Sequence, residues 1–341
     1  MYRKSVKVAL VLVYLVIVAG AMVRMTGSGM GCPDWPKCFG YYIPPTDIQE
    51  LTWEEDREFN KGQVIIIEET LQVAKSDFTT GISYNADNWE AYTEHDYAKF
   101  NVWHTWIEYV NRLLGALSGL AILIMAILSI WQWKRRKKIT IVSILSVFLI
   151  GFQGWLGAVV VYSELAPIKI TIHMIMALVI VAVLLYLLYL SQENYTRQET
   201  DLPFKSVLVL ALLLSLIQII LGTQVRQFVD DAIAQVGYEN KSEWLANPTL
   251  LFYIHRSFSV AVTLVMFFIW YRSRLKKYQL WGVTPMLVLV LAEALTGIAM
   301  YYFDFPFLSQ PLHLVFASLL FGVQFYLILQ VFVRQKPVEL S

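Results

Sequence analysis

The sequence predicts an all-α integral membrane protein in which eight transmembrane helices form two four-helix bundles related as parallel repeats. Hydrophobic residues make up 57% of the 341 residues and charged residues only 16%, against about 25% charged in typical soluble domains. The charges lie in short segments between apolar runs, and eight runs reach the roughly 20 residues that span a bilayer. A net charge of +1 gives no reason to expect nucleic acid as a partner.

The apolar runs and the segments between them give the order of the predicted elements. The first run has no small-residue cleavage site, so it is interpreted as a span rather than a signal peptide. An acidic loop over residues 25–100 is predicted to form a small outer cap, with helical character in 47–76 and a turn in 81–88. The predicted spans are residues 6–24, 101–133, 139–163, 168–190, 205–228, 249–271, 279–302 and 308–333.

Lysine and arginine mark one side of the predicted bundle. With eight spans, the basic segments at Arg3–Lys7, Lys134–Lys138, Arg272–Lys277 and Arg334–Lys336 all fall on the same side. Because basic loops remain in the cytoplasm, both termini are predicted to be cytoplasmic and the protein to lie in the inner (plasma) membrane. Surrounding lipid is therefore a predicted partner.

The chain repeats a pattern of polar residues, which divides it into an N-terminal half (1–192) and a C-terminal half (193–341). The matches occur in the same order and orientation in both halves, which indicates a parallel repeat. Transporters also contain such repeats, so the repeat alone does not define a function. The matched pairs are Gly20 and Gly222, Arg24 and Arg226, Asn111 and His255, Gln153 and Glu293, Gly157 and Gly297, and His173 and His313.

Four of the five histidines lie within helices, whereas His95 lies in the outer loop. His104, His173, His255 and His313 fall near the outer ends of the second, fourth, sixth and eighth helices. Hydrogen bonding across helices is one interpretation, but four histidines at one depth favour ligation of a metal or cofactor. Because imidazole ligates haem iron between facing helices, the pattern predicts one haem per half.

A carboxylate shares a helix face with one of these histidines. His104, Glu108 and Asn111 are spaced i, i+4 and i+7, so they point in one direction. Glu108 is a candidate proton acceptor or charge stabiliser beside a bound cofactor. The alternative is a structural ion pair with Arg112, four residues further on.

Four arginines are candidates for binding the carboxylates of a cofactor, because guanidinium binds carboxylates in a bidentate manner. For the first two, which end helices, snorkelling to lipid headgroups is the alternative. The four are Arg24, Arg226, Arg112 and Arg256.

The two cysteines, Cys32 and Cys38, lie in the outer loop, on the side where disulfides persist. Two prolines stiffen the segment between them. A structural disulfide, a redox-active pair and a metal-binding pair all remain open.

Five segments in this order resemble the haem A synthase family. The resemblance covers all eight predicted helices but not the part of the outer loop from about 45 to 98. The segments are Met25–Cys38, Glu108–Arg112, Gln153–Gly157, Gly222–Arg226 and His255-Arg256.

The resemblance implies that the protein oxidises a methyl group of the substrate haem O to a formyl group, giving haem A for cytochrome oxidase. It implies haem b between His255 and His313, substrate haem on His173, and a catalytic Glu108. It also implies a loop disulfide between Cys32 and Cys38. Haem O synthase and oxidase assembly factors are the partners implied by the family.

One residue departs from the family pattern, because Asn111 stands where the family has histidine. Either the N-terminal iron has His173 as its single protein ligand, or His104 supplies the second ligand from a shifted position. Both alternatives stay open.

Three other functions compete with this interpretation. A b-type electron-transfer cytochrome with two bis-histidine haems would explain the histidines but not Glu108 or the cysteine loop. A transporter would bind no haem, and a structural membrane subunit would need no histidines within its helices.

Overall fold

The computed structural model describes residues 1–192 and 198–333. Long α-helices dominate these residues, and five short β-strands lie between the first two helices. The helices are α1 (Tyr2–Met25), α2 (Val102–Ser129), α3 (Trp133–Tyr162), α4 (Pro167–Leu190), α5 (Leu202–Val236), α6 (Leu250–Leu275), α7 (Val283–Tyr302) and α8 (Ser309–Phe332). The strands are β1 (Glu58–Phe59), β2 (Val64–Ile67), β3 (Thr70–Ala74), β4 (Phe78–Thr79) and β5 (Trp89–Ala91).

Within the described residues, seven helical segments are long and apolar enough to cross a membrane. The segment Val102–Tyr162 has 61 residues and contains both α2 and α3. A 3-10 turn at Ile130–Gln132 and the non-helical backbone of Arg136 interrupt it. The Thr140 hydroxyl donates to the Ser129 carbonyl at 2.6 Å, whereas residues eleven apart lie about 16 Å apart in a straight helix. The chain therefore reverses direction between α2 and α3.

Large apolar side chains cover the outside of these helices. Phe148, Leu264 and Leu295 are 70%, 62% and 67% exposed. Exposed apolar surface on this scale is unfavourable in water but is the expected lipid-facing surface of a transmembrane helix. The predicted class, a mostly helical multi-pass membrane protein, is confirmed.

The chain forms two compact units. The cap unit comprises Leu15–Ser118 and Gly151–His173. The bundle unit comprises Met1–Tyr14, Gly119–Ile150 and the described residues from Met174 onward.

A four-helix bundle forms the C-terminal half of the bundle unit. Helix α5 packs against α6 and α8, and α7 packs against the same two helices. Apolar residues from all four helices meet in its core, among them Leu208, Met266, Met286 and Leu327. These four helices thus share one apolar core, and the arrangement of the whole chain as two repeated bundles stays a prediction.

Helix α5 is longer than the predicted span of 205–228. Its 35 residues measure about 52 Å at 1.5 Å per residue, well beyond the roughly 30 Å of a bilayer core. Val229 and Ile233, one turn apart, are buried with Trp244 and Phe305. This small apolar cluster stabilises the last turns of α5, which hydropathy alone does not predict.

The cap is built from β-strands, so the helical character predicted for residues 47–76 is wrong except at the 3-10 helix Ile48–Leu51. Strands β2, β3 and β5 form an antiparallel sheet, and β1 pairs with β4. Glu68 and Glu69 form the two-residue turn between β2 and β3 with φ of 48° and 59°. These angles are typical of a type I′ turn, which normally carries Asn-Gly, so no hairpin signal is present in the sequence at this point.

Candidate functional site in two histidine clusters

In the cap unit, the loop between α1 and the strands is closed by a disulfide between Cys32 and Cys38. Both cysteines are buried in a small apolar core with Phe39, Leu51 and Val64. The disulfide predicted from the sequence is therefore present. Its redox role stays a prediction.

Glu108 on α2 is bound directly to this loop. Its carboxylate is 4% exposed, accepts a hydrogen bond from the Cys32 N–H at 2.9 Å, and pairs with Arg112. Arg112 also donates to the carbonyls of Cys32, Asp34 and Lys37. The ion pair weighed in the sequence analysis is thus present and fastens the loop to α2. The catalytic role of Glu108 stays a prediction.

Asp34 and His95 also stabilise the disulfide loop, although the sequence alone predicted no role for either residue. The Asp34 carboxylate accepts from the Phe39 and Gly40 N–H groups at 2.5 and 2.8 Å. Burial raises the pKa of the Asp34 carboxyl above its ordinary value. The His95 Nε2 donates to the Pro33 carbonyl at 3.0 Å. An aspartate between paired cysteines was the available signal, because aspartate side chains often bind nearby backbone N–H groups.

His104 and Asn111 lie on α2 on either side of Glu108. The His104 ring makes no hydrogen bond within the part of the chain that the structure describes, and its backbone N–H donates to Asn101 at 3.2 Å. The carboxamide oxygen of Asn111 is buried and has no hydrogen-bond partner among the described residues. A Cβ atom on Gly20 of α1 would lie 3.8 Å from this oxygen.

His173 on α4 completes the N-terminal cluster, which consists of Cys32, Cys38, Glu108, Asn111, Arg112 and His173. Gln153 of α3 donates from Nε2 to the His173 carbonyl at 3.0 Å. The His173 Nδ1 is buried and has no partner among the described residues. Gly157 leaves room for this ring, since a Cβ there would lie 3.5 Å from its Cε1 atom.

In the bundle unit, His255 on α6 and His313 on α8 form the centre of the C-terminal cluster. Their ring centroids lie 6.4 Å apart with an interplanar angle of 72°. Gln218 of α5 donates to the His255 carbonyl at 3.0 Å, and the His255 Nδ1 is buried without a partner in the described chain. A Cβ on Gly222 would lie only 3.1 Å from the His255 ring.

Three oxygen atoms of α7 surround the Nδ1 atom of His313. They are the Thr296 hydroxyl at 2.9 Å, the Glu293 carbonyl at 3.1 Å and the Glu293 carboxylate at 3.2 Å. A carbonyl can only accept, so Nδ1 carries the proton and Nε2 keeps its lone pair. Contacts of this kind orient metal-ligating histidines and increase their basicity. Thr296 was missed in the sequence analysis, although its spacing three residues after Glu293 places both on one face.

The other predicted arginines lie on α1, α5 and α6. Arg226 pairs with Asp230 at 2.8 Å on the extension of α5, and Arg256 lies 5.8 and 5.7 Å from the rings of Tyr253 and Tyr301. Arg24 lies in the last turn of α1. Their predicted contacts with haem propionates stay predictions.

The residues of the C-terminal cluster fit a haem. His255 and His313 belong to different helices of one bundle, His313 has its tautomer fixed for ligation through Nε2, and a glycine leaves space beside each ring. Haem iron is held in this way by side chains on facing helices.

Fold and clusters together define a multi-pass helical membrane protein with histidines on facing helices. The family model of the COX15-CtaA cytochrome oxidase assembly proteins matches residues 3–325. The chain belongs to this family, and the resemblance to haem A synthases found in the sequence is confirmed.

Three bacterial relatives named haem A synthase illustrate the similarity. That of Shewanella oneidensis is 27% identical over 206 residues, which cover 60% of this chain and 50% of that protein. That of Flavobacterium johnsoniae is 23% identical, covering 93% of both chains. That of Shouchella clausii is 24% identical, covering 94% of this chain and 93% of the relative.

Proposed function

We propose that this protein is a haem A synthase, an oxidoreductase that converts a methyl group of haem O into the formyl group of haem A. The family and the relatives along most of the chain support this function. The observation that carries it is the difference between the clusters. One resembles an electron-transfer site, whereas the other adds a buried carboxylate fastened to a disulfide loop.

The C-terminal half, residues 193–341, is proposed to hold haem b between His255 and His313. Haem b supplies one-electron transfer when bound. The Thr296 hydroxyl and Glu293 fix the His313 ring through Nδ1, while Gln218 fixes the His255 backbone. The contacts at Nδ1 hold the His313 imidazole in place, which reduces reorganisation on electron transfer.

The N-terminal half, residues 1–192, is proposed to bind the substrate haem O through His173. Oxidation of a methyl group releases protons, so a base near the reacting carbon accelerates it. Glu108 is proposed to accept a proton or to stabilise positive charge at that carbon. Its two oxygens are held by the Cys32 N–H and by Arg112, which keeps the carboxylate in one orientation.

The chain is proposed to cross the membrane eight times. The 61-residue segment Val102–Tyr162 reverses at Ser129, and its two helices, α2 and α3, each exceed the roughly 20 residues of one span, so it supplies two crossings. With eight crossings the basic segments share one side, which puts both termini in the cytoplasm and the disulfide loop on the oxidising side of the inner membrane. Haem O synthase and oxidase assembly factors remain proposed partners.

Extraction and chromatography of haems from cells that make haem O, with and without this protein, test the proposal. A haem A peak that appears only with the protein supports the enzyme. Glu108→Gln should abolish the peak while haem binding persists, because the amide cannot accept a proton in the same way. Arg112→Lys is the matched control, since it weakens the loop attachment but keeps the carboxylate.

Equal loss of haem A in both variants, with free thiols appearing in both, would instead assign Glu108 a purely structural role. Bound haem b without any haem A would favour the electron-transfer cytochrome. The paired rings of His255 and His313 are the observation that keeps this second function in view.

A further inference from the structure

The two clusters contain equivalent positions that hold different side chains. In the C-terminal half, Gly222 lies against the His255 ring, because a Cβ atom placed on this glycine would lie 3.1 Å from the ring Cε1 atom. In the N-terminal half, Gly20 lies against the Asn111 side chain, at 3.8 Å from Oδ1. Gly20 and Gly222 are repeat partners, and so are Asn111 and His255. Asn111 therefore occupies the place that a histidine occupies in the other half.

The second histidine of the pair is retained in both halves. A Cβ atom placed on Gly157 would lie 3.5 Å from the His173 Cε1, and one placed on Gly297 would lie 3.7 Å from the His313 Cε1. In each pair the glycine precedes the histidine by sixteen residues. The equivalent contacts place His173 where His313 lies in the C-terminal half. Only one of the two imidazoles has been replaced.

A carboxamide differs from an imidazole in what it offers to a ligand. Its oxygen and NH2 group accept and donate hydrogen bonds, but it has no basic ring nitrogen. The Asn111 oxygen is buried and has no partner among the described residues. Because leaving a buried polar atom unsatisfied is unfavourable, a bound molecule that supplies the missing partner would be stabilised here.

We propose, resting on the function proposed above, that the N-terminal haem has His173 as its single protein ligand and that Asn111 faces the other axial position. There the carboxamide hydrogen-bonds a small neutral ligand such as water. The C-terminal haem, held by two histidines, has no such position. One haem of the protein is thus open to exogenous ligands and the other is closed.

Binding of carbon monoxide to the reduced, purified full-length protein tests this directly, because carbon monoxide needs a vacant axial position. The expected result is two haems per chain, of which one binds carbon monoxide. Asn111→His should close that position, lower carbon monoxide binding at least about tenfold and convert a high-spin ferric signal to low-spin. Asn111→Leu should keep the binding, because leucine supplies no iron ligand and carbon monoxide has no proton to donate to the Asn111 oxygen.

His104→Ala is the control, because His104 is the alternative second ligand of the N-terminal iron. Unchanged carbon monoxide binding supports the inference. If the wild-type protein holds two haems and neither binds carbon monoxide, the inference is overturned while the proposed function survives. Binding that appears only after His104→Ala would identify His104 as the ligand. One closed haem per chain would overturn the proposed function together with the inference.

Discussion

The two histidine clusters differ in how their side chains are satisfied. In the C-terminal cluster, the His313 Nδ1 faces three oxygen atoms, one of which belongs to the Glu293 carboxylate. In the N-terminal cluster, the His173 Nδ1 has no partner among the described residues, and neutral Gln153 stands at the position equivalent to Glu293. The carboxylate of the N-terminal cluster, Glu108, instead binds the disulfide loop.

Under the proposed function, the predicted repeat supplies two similar sites whose polar side chains differ. Glycines lie beside the matched side chains in both halves, Gly20 and Gly157 in one and Gly222 and Gly297 in the other. The side chains differ at two matched positions, Asn111 against His255 and Gln153 against Glu293. The contacts at Nδ1 favour a fixed ring at His313, whereas the Nδ1 atoms of His173 and His255 have no partner among the described residues.

The largest expected effect comes from removing one ligand of the closed site. His313→Ala should lose the C-terminal haem, with at least about tenfold weaker retention, since even changes to contacts behind a ligand cost 10–100-fold. The haem-to-protein ratio and the low-spin signal measure this. The N-terminal haem should remain, and simultaneous loss of both haems with an intact fold would contradict the independence of the two sites.

An intermediate effect is expected from filling the space beside a ring. Gly222→Ala places a methyl group 3.1 Å from the His255 ring, closer than ordinary van der Waals contact, so the imidazole must shift. We expect roughly tenfold weaker retention of the C-terminal haem, measured by titration with an apo-haem acceptor. Gly157→Ala is the matched control, because its methyl group would reach ordinary contact at 3.5 Å from His173. Equal effects in both variants would contradict the steric explanation.

The smallest expected effect is electronic. Glu293→Gln gives the C-terminal half the side chain found at the equivalent position of the N-terminal half. It should raise the midpoint potential of the C-terminal haem, because a weaker acceptor at Nδ1 makes His313 less basic. Redox titration followed by visible spectroscopy measures the shift. Thr296→Val, which removes a neutral acceptor, should cause a smaller shift in the same direction, and a lowered potential in Glu293→Gln would refute the assignment.

The elements predicted correctly from the sequence are those with a strong local signal. Helix positions followed from hydropathy, since the bounds of α4 and α8 lie within one residue of the predicted spans. The hairpin of β2 and β3 was missed because its turn uses Glu68 and Glu69 rather than residues that favour positive φ. The extension of α5 was missed because Val229 and Ile233 are stabilised by Trp244 and Phe305, which are distant in sequence.

The sequence by itself determined the membrane class and the set of histidines, and it indicated the duplication and the pairing of two cysteines. These depend on composition and spacing, which can be recognised without coordinates. Only the tertiary structure showed that Glu108 and Arg112 fasten the disulfide loop and that three oxygens surround the His313 Nδ1. It also showed that the buried Asn111 oxygen has no partner among the described residues. Hydrogen bonds between segments that are distant in sequence depend on the distance and burial of their atoms in three dimensions. A local sequence pattern contains neither quantity.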